Sequence, residues 1–169
     1  PIGHLDDAYL ELMSDVQELL RYAWQCNNRV SLPMSGTGSA AMEASIANFI
    51  EEEETILIAK KGYFGDRLVD MASRYKANVV VIEKEWGEAF SLDEIKFEIE
   101  KNKPSIFAIV HAETSTGVLQ PLDGIGEICR KNNCLFLVDA VTSLGAVKLL
   151  VDDWKIDLAY SCSQKGLSC

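Results

Sequence analysis

The chain has 169 residues, of which 48% are hydrophobic and 25% are charged, and its formal net charge at pH 7 is −10. These values suit one globular domain, and the acidic balance with scattered Lys and Arg argues against a nucleic acid or an anionic membrane surface as a partner. No apolar run approaches the ~20 residues of a membrane span, and the start lacks the blocks of a signal peptide, so we expect a cytoplasmic location.

The elements are predicted from hydrophobic periodicity. Apolar residues at helical spacing predict five helices, and one of these helices begins at the capping-box pair Ser91 and Glu94. The predicted helices are Leu5–Trp24, Ala40–Phe49, Gly65–Tyr75, a helix from Ser91 through Glu100, and Leu122–Asn133. The predicted strands are Val30–Met34, Thr55–Ala59, Asn78–Glu83, Ser105–Ala112, Cys134–Ala140 and Asp157–Ser161.

Strands that are apolar on both faces and alternate with amphipathic helices are typical of a mostly parallel sheet covered on both sides. We therefore expect a three-layer α/β/α fold. In such sheets, ligands bind beyond the carboxyl ends of the strands. The segments to inspect are those that follow the strands, namely SGTGS, KKGYFGD, HAETSTG, DAVTS and CSQK.

The first of these segments, SGTGS, enters a predicted helix. Free N–H groups, hydroxyls and the positive helix end make Thr37, Gly38 and Ser39 a candidate phosphate site. The structural alternative is a glycine-rich turn with Ser39 as N-cap. GTGSAA also satisfies the dinucleotide pattern G-x-G-x-x-A, but the next strand leads into Lys60 and Lys61 rather than an acidic residue, which weakens that alternative.

Two later residues could complete a site around such a phosphate. Asp139 closes a buried strand, so it is either a loop-fixing aspartate or a carboxylate that faces a protonated ring nitrogen. Lys165 follows the last strand among small polar residues, where burial or nearby positive charge can lower the pKa of a lysine and make it a nucleophile towards carbonyls. A phosphate cradle, a carboxylate and such a lysine are what pyridoxal phosphate needs at its three ends.

Five segments together resemble the class V pyridoxal-phosphate-dependent aminotransferases, most closely the alanine–glyoxylate, serine–glyoxylate and serine–pyruvate group. They are SGTGSAAMEA, GYFGDR, HAETSTGVLQPLDGIGE, FLVDAVTSLG and DLAYSCSQKG. The resemblance implies the fold type I large domain over residues 1–169, truncated after Lys165 and without the small C-terminal domain. It also implies a homodimer when the protein is full length.

The resemblance further implies a role for each matching residue. Lys165 would form the Schiff base and move the substrate proton, and Asp139 would pair with the ring nitrogen. Val141 and Phe64 would pack on opposite faces of the ring, and Thr114 would contact its oxygen side.

For the phosphate, the resemblance implies contacts from Thr37, Gly38, Ser39 and Gln164. His111 and Glu113 are expected to tie their loop to the sheet rather than transfer protons.

The implied reaction is transamination between alanine or serine and glyoxylate or pyruvate. An inactive fragment and a dinucleotide-binding module remain as alternatives. The five cysteines are odd in number and irregularly spaced, and with only two histidines they favour reduced thiols over a zinc site.

Overall fold

The structure is a computed structural model that describes residues 2–169. It contains the helices α1 (Asp7–Trp24), α2 (Gly38–Ala47), α3 (Tyr63–Arg74), α4 (Leu92–Asn102) and α5 (Ile125–Lys131). Its strands are β1 (Thr55–Lys60), β2 (Asn78–Glu83), β3 (Ile106–Val110), β4 (Ala112–Glu113), β5 (Val118–Leu119), β6 (Leu135–Asp139) and β7 (Leu158–Tyr160).

Five strands form one parallel sheet in the order β2-β1-β3-β6-β7. All five residues of the central strand β3 are buried, as a strand covered on both faces requires. The predicted parallel sheet is confirmed. The chain runs from β1 outwards to β2 and then crosses to β3 on the other side of β1, so the order reverses at β1 and β3, where parallel sheets commonly bind ligands.

Two hydrophobic cores lie on opposite faces of this sheet, because successive side chains of a strand alternate between the faces. Leu57, Phe107 and Phe136 pack with residues of α4 and α5 on one face. Ile56 and Ile58 pack with residues of α2 and α3 on the other. The predicted three-layer α/β/α architecture is therefore present.

The predicted first helix is confirmed as α1, which begins at Asp7 and ends at Trp24. No α1 residue is fully buried, and contact with the core is made by its last residues, Ala23 and Trp24. Among residues 2–169, no helix is both long enough and apolar enough to cross a membrane.

The predicted capping box opens α4. Ser91 Oγ accepts from the Glu94 N–H at 3.3 Å, and Glu94 Oε2 accepts from the Ser91 N–H at 2.8 Å. These reciprocal bonds satisfy two backbone donors that a helix start otherwise leaves free. The helix continues two residues beyond Glu100, to Asn102.

One predicted strand is absent, and one predicted loop contains a hairpin that was not predicted. Residues 30–34 form no strand, because no strand among residues 2–169 pairs with them, and Leu32 is 59% exposed. Apolar character alone does not make a strand without a neighbour to bond. Conversely, the loop after β3 contains an unpredicted antiparallel hairpin, in which Glu113 pairs with Val118.

Gly126 lets α5 pack directly against the chain before β7. An added Cβ would lie 2.2 Å from the Trp154 carbonyl oxygen and 2.7 Å from Lys155 Cβ. We therefore expect Gly126→Ala to lower the free energy of unfolding by about 2 kcal/mol, the usual scale of overpacking. Urea denaturation measures this, with Lys131→Ala on the exposed face of the same helix as control. Equal stability of the two variants would contradict the packing described.

Candidate functional site

The carboxyl ends of the parallel strands meet the start of α2. Asp139, the last residue of β6, pairs in register with Tyr160 of β7. A Cβ built on Gly38 would lie 3.1 Å from Val141 Cγ2 and 3.6 Å from Cys162 Cβ. The glycine loop therefore contacts the segments that follow both strands, and the predicted convergence is present.

Thr37 is the N-cap of α2, and its side chain accepts from the Ala40 N–H at 3.4 Å. The alternative in which Ser39 is the N-cap is wrong, since the helix begins at Gly38. Gly38 and Ser39 instead occupy the first helical positions, where backbone N–H groups have no intrahelical acceptor. Such groups, with the positive helix end, can bind an anion.

Asp139 is a buried carboxylate held by neutral donors. It is 3% exposed; Oδ1 accepts from the Val141 N–H at 2.9 Å and Oδ2 from the Tyr160 hydroxyl at 2.7 Å. Burial raises the pKa of Asp139, and the positive charge of Lys165 opposes that rise. Asp139 thus fixes its loop, as one alternative expected, and also presents a negative charge that neutral donors do not balance.

Lys165 lies in the turn after β7 and is half-buried. Its Nζ is 5.9 Å from the centroid of the Phe64 ring, which belongs to the first turn of α3. Gln164 beside it is exposed. The structure therefore brings together the predicted lysine and the predicted stacking residue, which are 101 positions apart in the sequence.

Thr114 joins the loop after β3 to the loop after β6. Its Oγ1 is 2.5 Å from Thr142 Oγ1, a short hydrogen bond between two hydroxyls. Because Thr142 follows Val141, this bond holds Thr114 beside the residues that surround Asp139.

Sequence reasoning missed two buried polar partners of this edge. Lys61 is 1% exposed, and its Nζ donates to the Val118 carbonyl oxygen at 3.4 Å. Burial lowers the pKa of Lys61 to about 8, against the attraction of Glu113 and Asp139. The signal for Lys61 was its position directly after a buried strand. Tyr160 is the second missed residue. Its hydroxyl reaches Asp139 because the two residues are paired across β6 and β7, and the sequence alone does not show that pairing.

His111 is buried at the end of β3. Its ring packs edge-on against Trp154 with centroids 5.8 Å apart, and among the described residues its Nδ1 has no hydrogen-bond partner. Burial, and then the charge of Lys61, lower the pKa of His111 to about 4. The neutral, packed imidazole fits the expected structural role.

We expect His111 to make the fold sensitive to acid. Between pH 6.5 and about 4 the unfolded chain binds a proton at this side chain that the folded chain does not, so stability falls as the pH falls. Between pH 7 and pH 4, His111 lowers the free energy of unfolding by about 3 kcal/mol. Urea titrations at pH 7 and pH 4 should therefore show a smaller loss for His111→Gln than for the wild-type protein. His4→Gln, at an exposed position, is the control; equal losses in all three proteins would contradict the assignment.

A cavity of about 360 Å³ lies beside this edge, between residues 30–34 and the segment after β7. Its lining includes Thr37, Cys162 and Gln164, but neither Asp139 nor Lys165. The candidate site is therefore defined by the polar groups at the strand ends, and the cavity adjoins its phosphate side and Tyr160, the hydrogen-bond partner of Asp139.

All five cysteines carry free thiols. Over residues 2–169, no group of three or more His, Cys, Asp or Glu side chains is placed to hold a metal ion.

Comparisons with known proteins identify the family. The model of the family described as aminotransferase class-V matches residues 4–169. (S)-ureidoglycine–glyoxylate transaminase of Bacillus subtilis is 46% identical over 167 residues, which are 99% of this chain and 40% of that protein. Alanine–glyoxylate aminotransferase of Drosophila melanogaster is 40% identical, over 98% of this chain and 42% of that protein.

The crystal structure of alanine–glyoxylate aminotransferase from Nostoc sp. superposes with a TM-score of 0.98 at 58% identity, covering all of this chain and 45% of that one. The chain thus spans less than half the length of these relatives. The dinucleotide alternative loses its support, because GTGSAA follows no strand here and the dinucleotide fingerprint needs one.

Proposed function

This chain belongs to the class V aminotransferase family, and on that premise we propose that residues 1–169 are the cofactor-binding large domain of a pyridoxal-phosphate-dependent aminotransferase. The observation that carries the proposal is the state of Asp139. Its buried carboxylate accepts from two neutral donors, and among residues 2–169 no Lys, Arg or His nitrogen lies within 4.0 Å of it, although Lys61 and Lys165 attract it from farther away. A protonated ring nitrogen would supply the missing positive partner.

The start of α2 supports a phosphate contact at the other end of the cofactor. Thr37, Gly38 and Ser39 would hold the phosphate through N–H and hydroxyl donors at the positive helix end, with Gln164 beside them. Gly38 keeps the helix start close to the segment after β6, since an added Cβ would make a tight contact of 3.1 Å with Val141 Cγ2. The residues present therefore fit the group.

The ring would lie between these two ends. We assign Phe64 and Val141 to its faces and Thr114 to its oxygen side. Lys165 Nζ is 5.9 Å from the Phe64 ring centroid. This supports the assignment, because the lysine that binds the cofactor must lie near the residue that packs on the cofactor ring.

Pyridoxal phosphate supplies an electron-withdrawing ring that stabilises the negative charge left on a substrate carbon after its proton is removed. Lys165 would bind the cofactor covalently through Nζ at rest. The Lys165 amine, when not bound to the cofactor, would hold and move the proton at the substrate Cα. Asp139 would keep the ring nitrogen protonated throughout.

For substrates we propose alanine or serine as amino donor and glyoxylate as acceptor, with pyruvate as a second acceptor, and a homodimer as the working form. Glyoxylate is favoured because it is named in both relatives quoted above. The name of the Bacillus subtilis relative adds (S)-ureidoglycine as a donor to test.

The test is glycine formation from glyoxylate by the purified protein with pyridoxal phosphate and each donor in turn. We expect glycine with at least one donor and none without the cofactor. Cofactor bound at Lys165 with no glycine from any donor would reject the activity and favour the inactive-fragment alternative.

A further inference from the structure

Glu113 is a buried carboxylate that the proposed cofactor contacts do not use. It is 1% exposed and lies in β4, directly after the strand β3. Its Oε1 accepts from the Phe64 N–H and its Oε2 from the Gly65 N–H, each at 3.4 Å. These two donors belong to the first turn of α3, where N–H groups lack intrahelical acceptors.

Ser115 extends this contact to a third donor. Its hydroxyl donates to Glu113 Oε1 at 2.7 Å and accepts from the Tyr63 N–H at 3.0 Å. The N-cap residue itself, Gly62, has no side chain to do this. A Cβ on Gly62 would lie 2.5 Å from Glu113 Cγ and 2.6 Å from Ser115 Oγ, so the loop packs directly on the helix start.

Lys61 supplies positive charge close to Glu113. Its buried Nζ is attracted by both Glu113 and Asp139 and donates to the carbonyl oxygen of Val118, the strand partner of Glu113. A carboxylate near a helix N-terminus is also stabilised by the helix dipole. Glu113 is thus held by the N–H groups of α3 and by the charge of Lys61, so it can keep the first turn of α3 in a fixed position.

We propose that Glu113 is a positioning residue: by capping α3 it fixes the Phe64 ring beside Lys165. The inference rests on the proposed function, because the orientation of Phe64 matters only when the ring packs on a bound cofactor. Glu113 contacts the backbone of Phe64 and so acts through it.

The first experiment measures the cap without any cofactor. Amide hydrogen exchange at Phe64 and Gly65 should be about tenfold faster in Glu113→Gln than in the wild-type protein, because local opening exposes the amides that the carboxylate holds. Ser115→Ala, a milder change, should accelerate exchange at Tyr63. The matched control is Glu94→Gln, which removes a capping carboxylate from α4, and it should leave the α3 amides unchanged. Unchanged exchange in both Glu113→Gln and Ser115→Ala would overturn the role.

The second experiment measures the consequence for the bound cofactor. Pyridoxal phosphate bound to the protein gives a visible circular dichroism signal that depends on how the ring is held. We expect Glu113→Gln to halve that signal and to raise the dissociation constant about tenfold, while Glu94→Gln changes neither. In a Phe64→Ala background the same Glu113→Gln change should have little further effect, because coupled residues are not additive. Equal effects in both backgrounds would show that Glu113 does not act through Phe64.

Failure of the proposed function gives a different result. If borohydride fixes pyridoxal phosphate to the wild-type protein but Glu113→Gln leaves the dichroism unchanged, the positioning role is wrong and the cofactor assignment stands. If the wild-type protein takes up no cofactor, the proposed function is wrong, and the role of Glu113 fails with it.

Discussion

Lys165→Ala is expected to remove the covalently bound pyridoxal phosphate and to reduce glycine formation by about 10²–10⁴-fold, the usual contribution of a positioned acid–base group. The reason is that Nζ of Lys165 has two roles in the proposal, binding the cofactor at rest and moving the substrate proton. The visible absorbance of the protein incubated with cofactor measures the first role, and the glyoxylate assay measures the second.

Two other lysines are the controls for that change. Lys148 is exposed, and Lys148→Ala should alter neither measurement. Lys61 is buried close to Asp139, so Lys61→Met tests whether a nearby amine could take the cofactor instead. Retention of the visible absorbance in Lys165→Ala together with its loss in Lys61→Met would transfer the role to Lys61.

Asp139→Asn is expected to separate cofactor binding from stability. It should raise the dissociation constant of pyridoxal phosphate about a hundredfold, since breaking a buried charge pair costs about 3 kcal/mol or more. The cofactor-free protein should melt at the same temperature or higher. Burial raises the pKa of Asp139, so its ionised form is less stable in the folded chain than in the unfolded chain at neutral pH, and the amide removes that cost.

Melting curves with and without pyridoxal phosphate measure both effects of Asp139→Asn. Tyr160→Phe is the matched control, because it removes the 2.7 Å hydrogen bond to Oδ2 but leaves the negative charge. It should weaken cofactor binding much less than Asp139→Asn. A stabilisation by cofactor in Asp139→Asn equal to that of the wild-type protein would contradict the pairing with the ring nitrogen.

The sequence was most informative where one face or both faces of an element are buried. The strand predicted at Thr55–Ala59 is present and extends one residue further, to Lys60, because its four central residues are buried and therefore apolar. Residues 30–34 have the same apolar character, but a strand also needs a bonded neighbour, which local sequence does not reveal. The hairpin of Glu113 and Val118 has two residues per strand, too few for any periodicity to appear.

The site was predictable to a similar degree. The sheet rule placed Asp139 and Lys165 at one edge, and the structure brings both to that edge. What the sequence could not indicate were contacts set by register and by packing between loops. The hydroxyl of Tyr160 reaches Asp139 because the two residues are paired across β6 and β7, and Glu113 reaches α3 because Gly62 leaves space for it.

The central claim is that one cofactor joins Lys165, Asp139 and the start of α2. Its most direct test is peptide mass mapping after the protein has been incubated with pyridoxal phosphate and reduced with borohydride. We expect one dominant adduct, on the peptide that contains Lys165, and its loss when excess inorganic phosphate competes for the start of α2. An adduct distributed over surface lysines, or none at all, would contradict it.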